Sequence, residues 1–166
     1  MAKYCFSRIA LLSILVAFTF SCTEKKTKQV TSETMTASGE YLFEGPNTLQ
    51  GDFSFDISAL SSKTGVTAED ISEVYVESIR VIFENSETQE VVESVLIQLV
   101  SDELPLQSAG TLTTFTGTES LLNANKELDI LSYLKDPSSQ LIVDANLKSE
   151  MDELSVSVVF EFTVKH

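Results

Sequence analysis

Histidine occurs once in the 166 residues, as His166, and cysteine twice, as Cys5 and Cys22. A Ser-His-Asp or Cys-His relay needs a base to take the nucleophile's proton, and the single imidazole lies where chain ends fray. A zinc site built from His and Cys lacks its ligands. The six glycines are scattered and form no phosphate-cradling loop. Carboxylates remain, 25 of them. Two can cleave a glycosidic bond, but among so many a suitably spaced pair arises by chance. The chain therefore reads as non-enzymatic and without a cofactor.

Two acidic clusters have the oxygens that a calcium ion would want. Glu150, Asp152 and Glu153 form one, and Glu69, Asp70 and Glu73 the other. Neither follows the EF-hand alternation, and a solvated acidic turn is the competing reading of both. Sugar rings stack on exposed aromatics. Tryptophan is absent, and beyond residues 1–21 the tyrosines are Tyr41, Tyr75 and Tyr133. Tyr133 falls in a loop-like stretch and is the leading candidate, against packing at the edge of the core. A concave patch exposing Tyr133 or Tyr41 would favour a glycan or calcium ligand. A flat, unpaired apolar edge would favour a protein partner.

Charge narrows the partners. The formal net charge is −14, and removing residues 1–21 takes away Lys3 and Arg8 but no acid, giving −16. Such a surface repels phosphate backbones, which excludes nucleic acid as a partner.

The one residue whose chemistry stands out is Cys22. Lys3 and Arg8 precede a twelve-residue apolar run, Ile9–Phe20, which Ser21-Cys22 ends. At helical rise the run reaches roughly 18 Å, short of a hydrocarbon core of roughly 30 Å, so it reads as a signal peptide rather than a membrane span. Thr19-Phe20-Ser21-Cys22 resembles the lipobox of bacterial lipoproteins. Ser21 fits the small residue before the cysteine, while Thr19 and Phe20 depart from the commonest form in the relaxed manner of Bacteroidota lipoproteins. The resemblance implies cleavage between Ser21 and Cys22, lipidation of Cys22, and attachment to the membrane through that N-terminal lipid. Thr23 after the cysteine, with no acidic run, implies the outer membrane and its periplasmic face. Thr19-x-Ser21 is also a small-x-small motif, so plain secretion is the alternative. Only Cys22 survives cleavage, so the mature domain has no disulfide and depends on its core.

Residues 22–38 are polar and lack a periodic apolar face, which predicts a lipidated N-terminus and flexible tether. It would span about 20–24 Å as a coil and about 55 Å stretched. Lys25, Lys26 and Lys28 within it would either rest on anionic headgroups or be solvated linker charge. Residues 39–166 form the domain. A short strand is expected over 40–44, and Phe53, Phe55 and Ile57 alternate as a half-buried strand does. Thr67 precedes a turn or so of helix. A long strand with a bulge near Glu77-Ser78 follows, then a polar reversal over 84–90 and a central strand over 91–100. A Thr-rich strand is read over 111–116. Residues 119–136 allow a helix, or a strand running into a helical turn. Leu141–Leu147 and Val156–Val164 alternate around a turn and predict an antiparallel C-terminal hairpin.

Seven or eight strands with one short helix and no βαβ spacing predict an all-β, two-layer antiparallel β-sandwich, immunoglobulin-like. The compact LDILSYLKD stretch before two long strands resembles small all-β envelope lipoproteins of the Bacteroidota, a likeness that implies no activity. The expected function is a membrane-anchored envelope lipoprotein, a structural or protein-interaction module with an envelope protein as partner. A glycan- or calcium-binding module is the alternative.

Overall fold

The computed structural model describes residues 25–166. The expected signal peptide, Ser21 and Cys22 lie outside them. In chain order the elements are β1 (Thr27–Thr31), β2 (Met35–Leu42), β3 (Gly45–Asp52), α1 (Ile57–Thr64), β4 (Glu73–Phe83), α2 (Ser86–Val91), β5 (Val92–Val100), β6 (Gln107–Leu112), β7 (Glu119–Ala124), α3 (Leu131–Lys135), β8 (Gln140–Leu147) and β9 (Met151–Lys165).

Every pairing is antiparallel. β2, β9, β4 and β7 are neighbours in that order, with β1 extending the β2 side of β9. β3, β8, β5 and β6 form the second layer. The layers meet at two thin seams, β2–β3 through Ser38↔Gln50 and β6–β7 through Gly110↔Ala124 and Thr111↔Asn123. A glycine stands at each seam. A Cβ on Gly51 would lie 2.1 Å from the Thr36 carbonyl oxygen, and one on Gly110 would lie 2.5 Å from that of Asn123. Only the absence of a side chain lets the layers come this close.

The described residues form the all-β, two-layer antiparallel sandwich, with nine strands and three short helices among them rather than seven or eight and one. Its strand order is that of a jelly roll, not of the immunoglobulin sheets. The expected C-terminal hairpin is the clearest correction. β8 pairs with β3 and β5, whereas β9 pairs with β1, β2 and β4. The turn at 148–150 carries the chain across the sandwich, so the two apolar faces meet through the core instead of lying side by side.

Facing inward, β9 contributes Leu154, Val156, Val158, Phe160, Phe162 and Val164, all essentially without solvent contact. Phe53 and Phe55 do alternate into this core, but β3 ends at Asp52. Phe55 stacks on Phe162 at 5.6 Å and Phe53 meets Phe160 edge-on at 5.8 Å. They keep the period of a strand beyond the end of β3, where the Phe53 N–H still donates to the Ser139 carbonyl at 3.3 Å. Ile57 begins a helix instead, because the Asp56 carboxylate accepts from the Ala59 N–H at 2.8 Å and Gly65 closes the last turn at φ 66°. Thr67–Asp70, expected to open a turn or so of helix, is a single hydrogen-bonded turn.

The bulge falls where it was expected, between Val76 and Ser78. The polar reversal holds α2, capped by Asn85, and β5 is central between β8 and β6. The Thr-rich strand lies earlier, as β6, and 119–136 resolves into a strand followed by a helical turn.

The tether expectation is corrected for its described part. Residues 27–31 pair with Glu161–Lys165, and 35–38 belong to β2. The polar β1 needs no apolar stripe, since its backbone bonds to β9 supply the order, while Met35 and Ala37 of β2 are buried in the core.

Candidate functional site

β9 gives the domain a long axis. Its last residues pair with β1 and the start of β4, and its first with the end of β2. Fourteen steps at strand rise separate these ends by up to about 46 Å. The described chain begins at one end, and the connections 43–44, 84–91, 113–118 and 148–150 gather at the other.

At the near end the lysines are engaged. Lys25 and Lys165 both reach the Glu73 carboxylate, at 2.6 and 2.8 Å. Lys28 donates to the Thr64 carbonyl at 2.6 Å, and the Lys26 backbone exchanges two hydrogen bonds with His166. Lys165, then Lys25, then the Tyr75 hydroxyl bond to Glu73 and hold its pKa at about 2, while the Lys165 ammonium is raised in return. Glu73 is thereby consumed as an ion-pair partner, and Asp70 bonds Thr67. Of the second acidic cluster, Glu73 fastens Lys25, just ahead of β1, to Lys165 of β9. His166 lies beside Lys26, and its Nε2 is buried without a hydrogen bond among the described residues.

The tyrosines separate clearly. Tyr133, the leading sugar-stacking candidate, is buried on α3 and donates to the Pro105 carbonyl. Desolvation raises its pKa. Tyr75 is half-buried with the Lys165 ammonium 4.6 Å from its ring centre. Tyr41 is 86% exposed and Phe43, two residues on, is 57% exposed.

The backbone around these two aromatics is held in a defined turn. Tyr41 has φ 55°, left-handed and uncommon for a bulky residue. That turn breaks the period of two, so Leu42 enters the core and Tyr41 faces solvent. Buried Asn47 then pins the connection. Its Oδ1 accepts from the Phe43 N–H at 3.1 Å, and its Nδ2 donates to the carbonyls of Phe43 and Gly45 at 2.8 and 2.9 Å.

Tyr41, Leu42 and Phe43 share an open depression of about 500 Å³ with Glu150, Met151 and Asp152. Two of the first cluster's carboxylates thus stand beside the aromatics, and Glu153 is opposite Glu40 in the β2–β9 register. No group of three or more His, Cys, Asp or Glu is placed to hold a metal ion among the described residues. A second depression, of about 540 Å³ and lined by Asp102, Glu103, Lys135, Asp136 and Ser138, lies at the near end. There the Asp136 carboxylate accepts from the Ser138 N–H and neighbouring hydroxyls, which lower its pKa. It shapes a turn. Phe43 escaped the sequence reading because it sits among strand-like phenylalanines. The Phe-Glu-Gly-Pro-Asn run around it was the available signal for an exposed connection.

No protein-family model matches the chain, and no curated protein sequence matches it. Among solved structures, infectious bursal disease virus, Gt strain, is similar over 96% of this chain and 36% of that one, at 17% identity and a TM-score of 0.37. Turnip yellow mosaic virus is similar over 86% of this chain and 94% of that one, at 12% identity and a TM-score of 0.31. Neither likeness is close enough to carry a function to this chain.

Proposed function

We propose that this chain is a lipid-anchored envelope protein whose sandwich acts as a non-enzymatic structural or protein-interaction module. The observation that carries it is the placement of exposed Tyr41 and Phe43 at the end opposite the first described residues. Cys22, with Ser21 before it, supplies the attachment. From Cys22 to Thr27 an extended chain spans at most about 17 Å. The domain would stand close to the bilayer with its aromatic rim facing outward from it. The outer membrane, periplasmic face, is the proposed location, and an envelope protein the proposed partner.

Three measurements test this. Cys22→Ala is expected to abolish fatty-acid labelling and release the chain into the soluble fraction; a variant that still sediments with membranes removes the anchor from the proposal. A photo-reactive residue at Phe43 is expected to cross-link an envelope protein in cells, and the same residue at the near-end Lys135 is not. Equal cross-linking from both positions would sink the rim assignment. Proteinase K on intact cells is expected to spare the domain, and degradation there would move it to the cell surface.

A glycan-binding module is the second reading, favoured by the exposure of Tyr41 beside carboxylates that can accept from sugar hydroxyls. Calorimetry against envelope polysaccharide, with Tyr41→Ala as control, decides it: no heat, or heat unchanged in the variant, rejects it.

A further inference from the structure

The distal rim combines two features. One is an exposed aromatic pair, with Tyr41 turned out by a left-handed φ and the Phe43 backbone bonded by Asn47. The other is carboxylate repulsion left uncompensated. Residues 40–44, 84–93 and 148–153 contain nine carboxylates and one cation, Lys148. Glu40 lies directly opposite Glu153 across β2 and β9, both exposed, and like charges so placed destabilise a strand pair. Lys148 is turned to the Glu90 carbonyl at 2.8 Å, and no ion pair among the described residues involves Glu40, Glu150, Asp152 or Glu153. At the near end, by contrast, Glu73 holds two lysines.

We infer that this rim binds a lysine- or arginine-rich polypeptide segment, whose cations neutralise Glu40, Asp152 and Glu153 while their stems and charges lie on Tyr41 and Phe43. The inference rests on the interaction-module reading and names its partner's chemistry. Two geometric facts select a polypeptide over a metal ion. The acids are strung along strand ends and connections rather than converging. The depression is open and flanked by aromatic faces, which attract organic cations. An extended basic chain meets such a row at several points, and its binding must weaken with salt.

The test uses the full chain in nanodiscs, with a fluorescent ten-residue oligolysine followed by anisotropy at 50 and 150 mM salt. Decaglutamate and maltoheptaose serve as comparison ligands, and calcium as a competitor. Oligolysine is expected to bind and to weaken at the higher salt. The pair Tyr41→Ala, Phe43→Ala is expected to weaken it about tenfold at fixed salt, since two exposed cation–π contacts are lost. Glu40→Gln, Asp152→Asn, Glu153→Gln together is expected to weaken it at least as much. Neutralising Glu69, Glu103 and Glu127, away from the rim, is expected to leave affinity within twofold.

Equal loss from both charge triplets would reduce the effect to net charge and overturn the site. So would an unchanged affinity in the aromatic pair, Tyr41-dependent binding of maltoheptaose instead, or displacement by micromolar calcium. If oligolysine fails to bind while the Phe43 cross-linker still captures an envelope protein, the cationic chemistry is wrong and the interaction module stands. If both fail, both readings fall.

Discussion

Asn47→Ala perturbs the display of the rim without touching an exposed residue. Asn47 is 7% exposed and makes three hydrogen bonds, one to the Phe43 N–H and two to the carbonyls of Phe43 and Gly45. At about 1 kcal/mol net each, their loss costs about 3 kcal/mol. Water reaches the freed groups of exposed Phe43 more readily than those of a core strand, which trims the expectation to about 2–3 kcal/mol. That is a 30- to 150-fold fall in the folding constant, or roughly 1 M less urea at the unfolding midpoint. Asn47→Asp is the sharper companion. It keeps the acceptor for the Phe43 N–H but aims a carboxylate at two carbonyls, so its deficit at pH 7 must shrink as pH falls and the carboxyl becomes a donor. Urea titration by circular dichroism gives the stability. Hydrogen exchange at the Phe43 amide gives the local effect, with faster exchange expected in Asn47→Ala, where the acceptor is lost. Loss below about 0.5 kcal/mol with an unchanged Phe43 amide would refute the claim that Asn47 holds this connection.

Glu73→Gln should lower the melting temperature at neutral pH by loosening β1 and β9. Because the folded-state pKa of Glu73 is depressed, its stabilisation is complete above the ordinary carboxylate range and fades as pH falls from about 4.5 towards about 2. Melting curves of variant and wild type should converge across that window; a gap that persists at pH 2 contradicts the assignment. Gly51→Ala and Gly110→Ala place a Cβ against backbone across the seams and should each destabilise by about 1–3 kcal/mol or more. Denaturation within 0.5 kcal/mol of wild type would mean the layers can part without loss. Tyr41→Gly relieves the left-handed strain at φ 55° and should leave stability unchanged or raise it by up to about 1 kcal/mol, while rim binding falls. A clear loss of stability would show that the Tyr41 ring supports the fold.

The period-two patterns of β4, β5, β8 and β9 were legible because each has one buried face, and burial imprints alternation directly on the chain. The same signal misplaced Phe53 and Phe55 in a strand, since alternation records which side chains enter the core and not whether a neighbour accepts the backbone bonds. β1 and β2 left little trace. Their order comes from pairing with β9, more than 100 residues away in the chain; β1 is polar, and β2 buries only Met35, Ala37 and Leu42 among polar neighbours.

The candidate site divides along the same line. The scarcity of His and Cys, the acidic balance and the apolar run before Cys22 are properties of composition and local order, so the amino-acid sequence alone determined them. Whether a tyrosine stacks outward or packs inward depends on the strand, helix and connection around it. Tyr133 turned into the core because α3 lays it against the Pro105 carbonyl. Tyr41 turned out because one left-handed residue at the end of β2 exchanges its phase with Leu42. The crossing of β8 and β9 into opposite layers was likewise a tertiary decision. An apolar face is satisfied equally by a partner beside it or one across the core, and only the full set of nine strands distinguishes the two.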